Sequence, residues 1–571
     1  MRKITKLTFL TLILLIVPMR LSAERTLTVS AGNLKKLFVD YELQYESNLT
    51  LKGTINGSDV KVLREWAGSH RALDLKDCRI VAGGEPYYES YTTEDDVIGS
   101  YMFYEKEFKS FVLPKTLKKI GDYAISFCGE SIDFPPTLTW LGDHAFTCNE
   151  FEQLHIPATL VHIGNGALNG NPSLYQVTID DNNPEFVLED GYLYTRDHTR
   201  LLSYFAPISD ISESFTIPSD VRIIDDMAFN GHRCRNITLN KRLEYIGEKA
   251  FIYAMKDVPG VSWQEKLEIP NTVTYIGASA FEYCRIETVI ISDNVEDLRE
   301  CTFAYCCIDK IHLPAKLKHI GIGAFYENSL NNLKLPDGLE TIGADAFVGL
   351  NVKKLVIPSS VRKIEESAFE YVHSEIIDIR PLLESIPDAA FYGCSSLKKL
   401  ILPPTIKRLG RSAFYECYRL VDCKLPDGLE VIESWALAGA DNMKEWHIPA
   451  SVRTIGWAAF AVPNFTSHTV YMYSQEPPVE TDPEAFLYWT MEESVLYVPT
   501  GSVERYKQKR PWNTFGEIRE FAPTGIKYIP RTFDGKEHRS FDIGGRISNG
   551  QQGLHIELTP KGTRKIIKKA F

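Results

Sequence analysis

Apolar and polar residues recur along this chain with a period of 22. Residues 313 to 325 read LPAKLKHIGIGAF, residues 335 to 347 read LPDGLETIGADAF, and residues 357 to 369 read IPSSVRKIEESAF. With the Pro position taken as the origin of each unit, the chain contains 14 copies, most of them 21 to 23 residues apart. The origins are Pro114, Pro135, Pro157, Pro218, Asn240, Pro270, Ser292, Pro314, Pro336, Pro358, Arg380, Pro403, Pro426 and Pro449.

The residues before each origin predict a short strand. The positions three and one before the origin are apolar in every copy, as in Leu333 and Leu335, and the positions between them are mostly polar. This period of two is typical of a strand with one buried face. Pro at the end of the strand stops the hydrogen-bond ladder from continuing.

The residues after each origin predict a second buried segment and a turn. The positions three and six after the origin are apolar in every copy, and Gly follows in nine. This Gly indicates a turn in which a side chain would be crowded or φ is positive. Ala and then Phe follow, as in Ala346 and Phe347, and we expect small and bulky residues to interdigitate between layers. Because one unit cannot bury its apolar face alone, the pattern predicts a repeat solenoid, mostly β with short turns or helices.

The motif also resembles a known family. Leu397, Leu400 and Leu402 before Pro403 follow the leucine-rich-repeat pattern L-x-x-L-x-L. The fuller unit, P-x-x-L-x-x-I-G-x-x-A-F-x-x-C, resembles the BspA-like leucine-rich-repeat surface proteins of Gram-negative anaerobes over roughly residues 45 to 525. The resemblance implies a leucine-rich-repeat array of about 14 units and contact with a host matrix or cell surface. Departures from the unit, which leave local turn geometry open, are Asn240, Ser292, Arg380 and Pro387.

The ends of the chain predict export. Basic residues at positions 2, 3 and 6 precede an apolar run from Leu7 to Val17, and Leu21-Ser22-Ala23 forms a cleavage site, so residues 1–23 are predicted to be a signal peptide. The alternative, a membrane anchor, is disfavoured because the run is shorter than the ~20 residues that span a bilayer. Residues 523–571 form a small β tail that resembles a sorting or anchoring domain, with a plain folded tail as the alternative.

The remaining segments complete a domain map. We expect an N-terminal cap at 24–105, the solenoid at 106–469 and a C-terminal cap at 470–522, because the open ends of a solenoid need covering. Two longer spacings between origins predict insertions near 175–216 and 255–264. The first insertion is predicted to form one or two hairpins that project from the solenoid, either carrying function or sealing an irregular repeat.

Composition and charge narrow the classes of partner. The fractions of hydrophobic residues, 44%, and charged residues, 24%, are those of an ordinary soluble protein. The formal net charge is -12 and becomes more negative once the basic signal segment is removed. A nucleic-acid partner is therefore not expected, since such proteins need a dense basic face.

Cysteine positions follow the repeat. Of the 11 cysteines, five lie 14 residues after an origin, in the slot that leucine-rich repeats give to Asn or Cys; they are Cys128, Cys284, Cys306, Cys394 and Cys417. We expect buried free thiols there. The alternative is a disulfide between adjacent layers, joining Cys284 to Cys306 or Cys394 to Cys417. The sequence contains no C-x-x-C pair, so neither zinc nor any other metal or cofactor is predicted.

The outward positions of the predicted strands form the candidate ligand-facing column. Its members are Lys310, His312, Asn332, Lys334, Lys354, Lys399 and Lys424. Lysines in such a column suit an acidic partner or a sulfated glycan. Ordinary solvation of exposed strands is the alternative. The histidines of this column, His155, His312 and His447, are not in adjacent layers, so they predict no metal cluster.

Three functions remain open on these grounds. The sequence lacks the G-x-S-x-G, H-E-x-x-H and G-x-x-x-x-G-K-[ST] signatures of enzymes. The leading hypothesis is therefore an exported, adhesin-like binding protein at the cell surface or secreted, which recognises a host or environmental protein or glycan without catalysis. A structural or envelope-assembly protein with no foreign ligand is the second. The third is a glycan-processing enzyme with its activity in the 175–216 insertion.

Overall fold

The chain forms a β-solenoid of about 21 turns, built mostly from strands with few helices. The computed structural model describes residues 25–126, 131–207, 211–212, 214–255, 264–331, 333–462, 466–522, 540–541, 555–559 and 562–566. The predicted leucine-rich-repeat solenoid is confirmed, with more turns than the 14 repeat units. The predicted signal segment, Asn332, Cys128 and nearly all of the insertion expected near 255–264 lie outside the described residues.

Most layers contribute one strand to each of two parallel ladders. The first ladder contains the alternating residues before the origin, as predicted. Its strands are Phe108–Val112, Gln153–Ile156, Gln176–Ile179, Phe215–Thr216, Ile237–Thr238, Gln264–Glu268, Ile286–Ile290, Lys310–His312, Lys354–Ile357, Ile376–Ile379, Lys399–Ile401, Asp422–Cys423, Glu445–Ile448, Thr469–Met472, Val495–Pro499 and Glu517–Phe521.

The second ladder lies five and six residues after the origins. Its strands are Val97–Ile98, Lys119–Ile120, Trp140–Leu141, His162–Ile163, Arg200–Tyr204, Ile223–Ile224, Tyr245–Ile246, Tyr275–Ile276, Asp297–Leu298, His319–Ile320, Thr341–Ile342, Lys363–Ile364, Ser385–Ile386, Arg408–Leu409, Val431–Ile432, Thr454–Ile455 and Glu480–Thr481. Two further parallel pairs are Ile125–Ser126 with Phe146–Thr147 and Ile211–Ser212 with Arg233–Cys234. Equivalent residues pair in register, as Ile342 does with Ile364, so each column of the repeat becomes a row along the solenoid axis.

Identical side chains stack on one another in the core. The Phe rings of nine consecutive layers, from Phe229 to Phe414, lie parallel with centroids 4.9 to 5.9 Å apart. Ala346 and Phe347 are fully buried side by side. The expected interdigitation of small and bulky residues between layers is therefore wrong. Exact repetition of the turn places Phe on Phe, an arrangement that adds about 0.5–1.5 kcal/mol per ring pair beyond burial.

The turn after the second strand is tight because consecutive layers touch through their backbones. A Cβ on Gly343 would lie 2.6 Å from the carbonyl carbon of Gly321 and 2.7 Å from the nitrogen of Ile322. Crowding, rather than positive φ, is thus the reason for this Gly. The left-handed residue comes two positions later in all 14 copies, as at Asp345 with φ 55°.

Further parallel strands and short helices continue both ends of the solenoid. Arg25–Val29, Asn48–Ile55 and Gly68–Ile80 pair in parallel and join the first ladder. The helices are Leu34–Asp40, Gly57–Trp66 and Val503–Lys507, with 3-10 turns at Leu43–Tyr45, Met491–Glu493 and Trp512–Thr514, and a hairpin joins Gly83–Tyr88 to Tyr91–Thr93. Both ladders thus extend into the segments predicted as caps.

The tail contains an antiparallel sheet of three strands. They are Ser540–Phe541, His555–Thr559 and Gly562–Ile566. The small β tail at 523–571 and its sorting or anchoring role stay predictions.

The insertion near 175–216 contains a layer that the repeat pattern hides. Ile179 pairs in register with Ile156, so the next residue, Asp180, takes the origin position. The N–H of Asn183 donates to the Asp180 carbonyl, as that of Leu160 does to the Pro157 carbonyl. A hairpin, Phe186–Glu189 with Tyr192–Thr195, follows Asp180 and pairs with Arg200–Tyr204 of the second ladder. The hairpin is therefore part of the ladder sheet and does not project as predicted.

The hairpin also separates two buried cores. The N-terminal core runs from Val29 to Phe205, and the C-terminal core runs from Tyr194 to Phe515. Neighbouring residues of the strand Arg200–Tyr204 point to opposite sides, since Leu202 belongs to the N-terminal core and Leu201 to the C-terminal core.

Candidate functional site

The predicted ligand-facing column lies on the exposed face of the first ladder. Lys310 and His312 share one strand, and Lys354 and Lys399 each begin another. All four are exposed, as are Lys334 and Lys424, which lie outside the strands. The structure thus places these residues on one side of the solenoid, and whether they bind a ligand stays a prediction.

Three lysines of this column face a carboxylate of a neighbouring layer. The pairs are Lys310–Glu287 at 3.6 Å, Lys354–Asp378 at 3.5 Å and Lys399–Asp422 at 2.6 Å. Exposed pairs of this kind contribute about 0–1 kcal/mol to stability. Their main effect is on the surface potential, because the column carries both signs of charge instead of a basic strip. Such a face offers donors and acceptors to a polar partner.

The C-terminal end of the same column is aromatic. The rings of His447, Tyr471 and Tyr497 stack with centroids 4.6 Å apart at each step. Arg519 lies over the last ring, 5.8 Å from its centroid, and donates to the Tyr497 hydroxyl at 3.0 Å. Aromatic faces with polar edges are enriched in interfaces. The column therefore changes from charged to aromatic along the solenoid.

A second surface, which the sequence did not indicate, lies on the turns that follow the buried Phe column. We call it the aromatic stripe, and its residues are Tyr253, Tyr283, Tyr305, Tyr326, Tyr371, Tyr392, Tyr415, Trp435 and Trp457. Centroids of successive rings within its first four members are 4.6 to 5.2 Å apart. Those within its last five are 4.8 to 5.4 Å apart. Tyr371 is 44% exposed and Trp457 is 38% exposed.

The turns that carry the central part of the stripe are strongly acidic. From seven to 13 residues after the five origins Pro270 to Pro358, the single basic residue is Arg299, whose guanidinium lies 4.5 Å over the ring of Tyr275. The acidic residues of the same positions are Glu282, Glu300, Glu327, Asp345, Glu365, Glu366 and Glu370. Burial, and then the nearby Glu366, raise the pKa of Asp345. Burial and Asp345 likewise raise the pKa of Glu370, against a hydrogen bond from Ser367.

The repeat pattern does not reveal the stripe because its members do not share one position of the unit. Its tyrosines occupy the position 12 or 13 after the origin, and its tryptophans the position eight or nine. An alignment by columns therefore scatters them. The available signal was a Tyr one or two residues after the Phe in consecutive units, as in AFEYC, TFAYC and AFYEN.

Carboxylates in and beside the 175–216 insertion make structural contacts. Asp225 receives two hydrogen bonds of 2.7 Å from the Arg200 guanidinium, and burial raises the pKa of Asp225 to about 6 despite this partner. Asp197 accepts from the hydroxyls of Thr195 and Thr199. The first contact joins the strand Arg200–Tyr204 to Asp225 of the next layer, and the second lies within the turn at 195–199. These two carboxylates therefore lend no support to a glycan-processing site.

The cysteine slot has a hydrogen-bonding role. The thiol of Cys306 donates to the carbonyl of Phe281 at 2.9 Å, and the amide of Asn328 donates to that of Phe303 at 2.7 Å. Burial raises the pKa of the Cys306 thiol. The ten cysteines in the described ranges are free thiols, in line with the expectation for this slot.

The described residues contain no group of three or more His, Cys, Asp or Glu side chains placed to hold a metal ion. Nor does any of their helices combine the length and apolar character needed to cross a bilayer.

Comparison with known proteins agrees with this architecture. The family model described as "BspA type Leucine rich repeat region" matches six copies, within residues 96–187, 204–256, 262–376 and 373–475, which is more than half of the chain. None of the curated proteins gives a significant match.

Three solved structures are similar in part. A leucine-rich repeat protein from Bacteroides ovatus ATCC 8483 is 22% identical, with a TM-score of 0.41, over 59% of this chain and 98% of that one. One from Eubacterium ventriosum ATCC 27560 is 18% identical, with a TM-score of 0.33, over 76% and 89%. A leucine rich cell surface protein from Faecalibacterium prausnitzii A2-165 is 18% identical, with a TM-score of 0.31, over 72% and 88%.

Proposed function

The chain belongs to the BspA-type leucine-rich-repeat family, and from this premise we propose that it is an exported, non-catalytic binding protein that recognises a protein or glycan at a cell surface. Export rests on the predicted signal segment at residues 1–23. Display or anchoring at the surface rests on the predicted role of the tail at 523–571. Both belong to the proposal.

The observation that carries the proposal is the contrast between the two sides of the first ladder. The inward positions, such as Leu355 and Ile357, repeat from layer to layer and are buried. The outward positions vary in charge and ring content, from the lysine pairs to the stack that ends at Tyr497. A solenoid with an invariant core and a varied open face is suited to binding a large partner, because many weak contacts add along its length.

The absence of catalysis is part of the same proposal. Asp197 in the insertion and Asp225 beside it make structural hydrogen bonds, with Thr195 and Arg200 respectively. Enzyme sites concentrate perturbed titratable groups in a concave pocket. A depression between the layers of Pro358 and Arg380, with a volume of about 460 Å³, is lined by Leu382 and Arg362 beside few other titratable groups.

A binding screen tests this function. The chain without residues 1–23 is immobilised and exposed to extracellular-matrix proteins, serum proteins and bacterial and host polysaccharides. We expect saturable binding to at least one class. Absence of saturable binding to every member of the screen would contradict the proposal.

Cell fractionation separates the proposal from an envelope-assembly role. A binding protein for foreign partners has to be accessible to protease and antibody on intact cells, or found in the medium. A chain that is protected in intact cells and recovered from the periplasm would favour envelope assembly.

A further inference from the structure

The aromatic stripe has an opening at its centre. Gly349 takes the place where a ring would continue the stripe between Tyr326 and Tyr371, and a Cβ built on it meets no atom within 4 Å. Its N–H donates to the carbonyl of Glu370 at 3.0 Å, and the N–H of Glu327 donates to the carbonyl of Val348 at 3.2 Å. The opening is therefore one layer wide, with an aromatic ring and a glutamate in each flanking layer.

The charge at this opening has one sign. Glu327 and Glu366 are exposed, whereas Asp345 and Glu370 are partly buried. Burial and then the charge of Glu366 raise the pKa of Asp345, and burial and the charge of Asp345 raise that of Glu370. A cation that entered the opening would relieve this repulsion. No three of the described carboxylates around it are placed to hold a metal ion together.

The rings on either side favour an organic cation. Lysine and arginine side chains bind over Tyr and Trp rings within about 6 Å of the centroid. This protein makes such contacts elsewhere, since Arg299 lies 4.5 Å over Tyr275 and Arg519 lies 5.8 Å over Tyr497. An anionic partner such as a nucleic acid or a sulfated glycan would be repelled by the carboxylates. A neutral glycan would use the rings but leave the carboxylates unpaired.

We infer that the aromatic stripe, with the opening at Gly349 as its centre, is a docking surface for a lysine- and arginine-rich segment of a partner protein. One basic side chain enters the opening between Tyr326 and Tyr371 and pairs with Glu370 and Asp345. Neighbouring basic side chains lie over the rings of adjacent layers. The inference rests on the proposed binding function and adds a surface and a partner chemistry to it.

The test uses a defined probe, a ten-residue peptide of alternating arginine and lysine, with the chain lacking only residues 1–23. We expect saturable binding by calorimetry. The double substitution Asp345→Asn with Glu370→Gln weakens binding at least tenfold, and Tyr371→Ala does so as well, because each removes a contact to the same cation. Melting temperatures establish that the variants are folded.

Matched controls separate site binding from general charge attraction. Glu287→Gln with Asp422→Asn removes the same two charges from the strand column, and Tyr175→Ala removes a Tyr of 36% exposure outside the stripe. Both controls are expected to bind within twofold of the unmodified chain. Equal weakening by the controls, or no binding by the unmodified chain, overturns the inference.

Binding of a neutral polysaccharide tests the alternative that the stripe is a glycan-binding surface. If it binds in a manner that depends on Tyr371 while the basic peptide does not, the stripe is a glycan surface and the inference is wrong. This failure is distinct from failure of the proposed function. In that case a partner from the screen would still bind, and its binding would be unaffected by the stripe substitutions.

Discussion

At the scale of the single residue, each layer constrains the next through backbone contacts that leave no space for a side chain. The Gly at seven positions after the origin is one such contact, and it recurs in nine copies. A polar side chain at an origin that lacks Pro constrains the layers in a different way, by a hydrogen bond to the backbone of the preceding layer. Asn240 donates to two carbonyls of the preceding layer, and Ser292 donates to the Val273 carbonyl at 2.6 Å. At these two origins the turn is therefore kept, and a side-chain hydrogen bond to the preceding layer takes the place of Pro.

Substitution at Gly343 tests the crowding. Gly343→Ala is expected to lower the free energy of unfolding by about 1–3 kcal/mol, because its Cβ would overlap the backbone of Gly321 and Ile322. Urea unfolding measures this. In the same repeat, Gly338→Ala meets only the Ala315 carbonyl oxygen at 3.5 Å, and it should be neutral or stabilising by up to about 1 kcal/mol. Equal effects of the two substitutions would contradict the crowding argument.

Burial of His232 predicts a pH dependence of stability. Burial lowers the pKa of His232 from 6.5 to about 4, and its ring lies 5.0 Å from that of Tyr204. Because the folded state disfavours the protonated form, this contribution to stability is complete above pH 6.5 and is lost as the pH falls from 6.5 to about 4. At pH 5 the loss is about 1–2 kcal/mol.

The variant His232→Phe isolates this contribution. The difference in free energy of unfolding between pH 7 and pH 5, measured with urea, should be smaller in His232→Phe than in the unmodified chain. His373→Phe, at an exposed histidine, serves as the control and should keep the original difference. An unchanged difference between pH 7 and pH 5 in His232→Phe would show that this histidine does not cause the pH dependence of stability.

At the scale of the element, the hairpin at 186–195 decides how the solenoid is divided. Because of the hairpin, the strands His162–Ile163 and Arg200–Tyr204 of the second ladder do not pair with each other. His162–Ile163 is the last strand of one sheet, and Arg200–Tyr204 belongs with the hairpin to the next sheet. Two cores result, and both use residues of the hairpin and the strand beside it. In a repeat protein whose units contact only their neighbours, such a break weakens coupling between the two sides.

The neighbouring residues Leu201 and Leu202 test this division. Leu202→Ala should destabilise the layers from 25 to 205, and Leu201→Ala those from 215 to 515, each by about 2–5 kcal/mol, because both side chains are buried but in different cores. Native-state hydrogen exchange read by mass spectrometry assigns the loss of protection. The two variants act as each other's control, and uniform loss along the chain in both would show a single cooperative unit.

At the scale of the whole molecule, the end of the column is covered by a large aromatic cluster. Trp512 is fully buried, with its ring 5.5 Å from that of Phe486 and 5.6 Å from that of Tyr506. This cluster takes the place of the next layer, which would otherwise be needed to cover the last Phe of the column. The stability of the end therefore depends on a few side chains that do not belong to the repeat.

Removal of the Trp512 side chain is expected to act locally. Trp512→Ala should cost about 3–5 kcal/mol and increase hydrogen exchange between residues 445 and 521, while the layers between 264 and 331 keep their protection. Val479→Ala, at a side chain 76% exposed in the same region, should change stability by less than about 0.5 kcal/mol. Loss of protection over the whole array in Trp512→Ala would contradict local fraying.

The sequence by itself determined the repeat, the strand before each origin, the buried columns and the family, because each of these is a pattern within one unit. Residues such as Leu339 and Ile342 are apolar in every copy and are buried in the solenoid. The predicted strand column was also placed on one face, since strand alternation decides which residues point outward.

Only the tertiary structure decided which residues of successive layers contact each other. The pairing of Lys399 with Asp422, the stacking of Phe on Phe and the drift of the aromatic stripe from one column to another depend on residues 20 or more positions apart. The layer at Asp180 was hidden because a hairpin separates its origin from its second strand. Periodicity assigns a residue to a column, but contacts between columns arise only when the turns bring successive units into register.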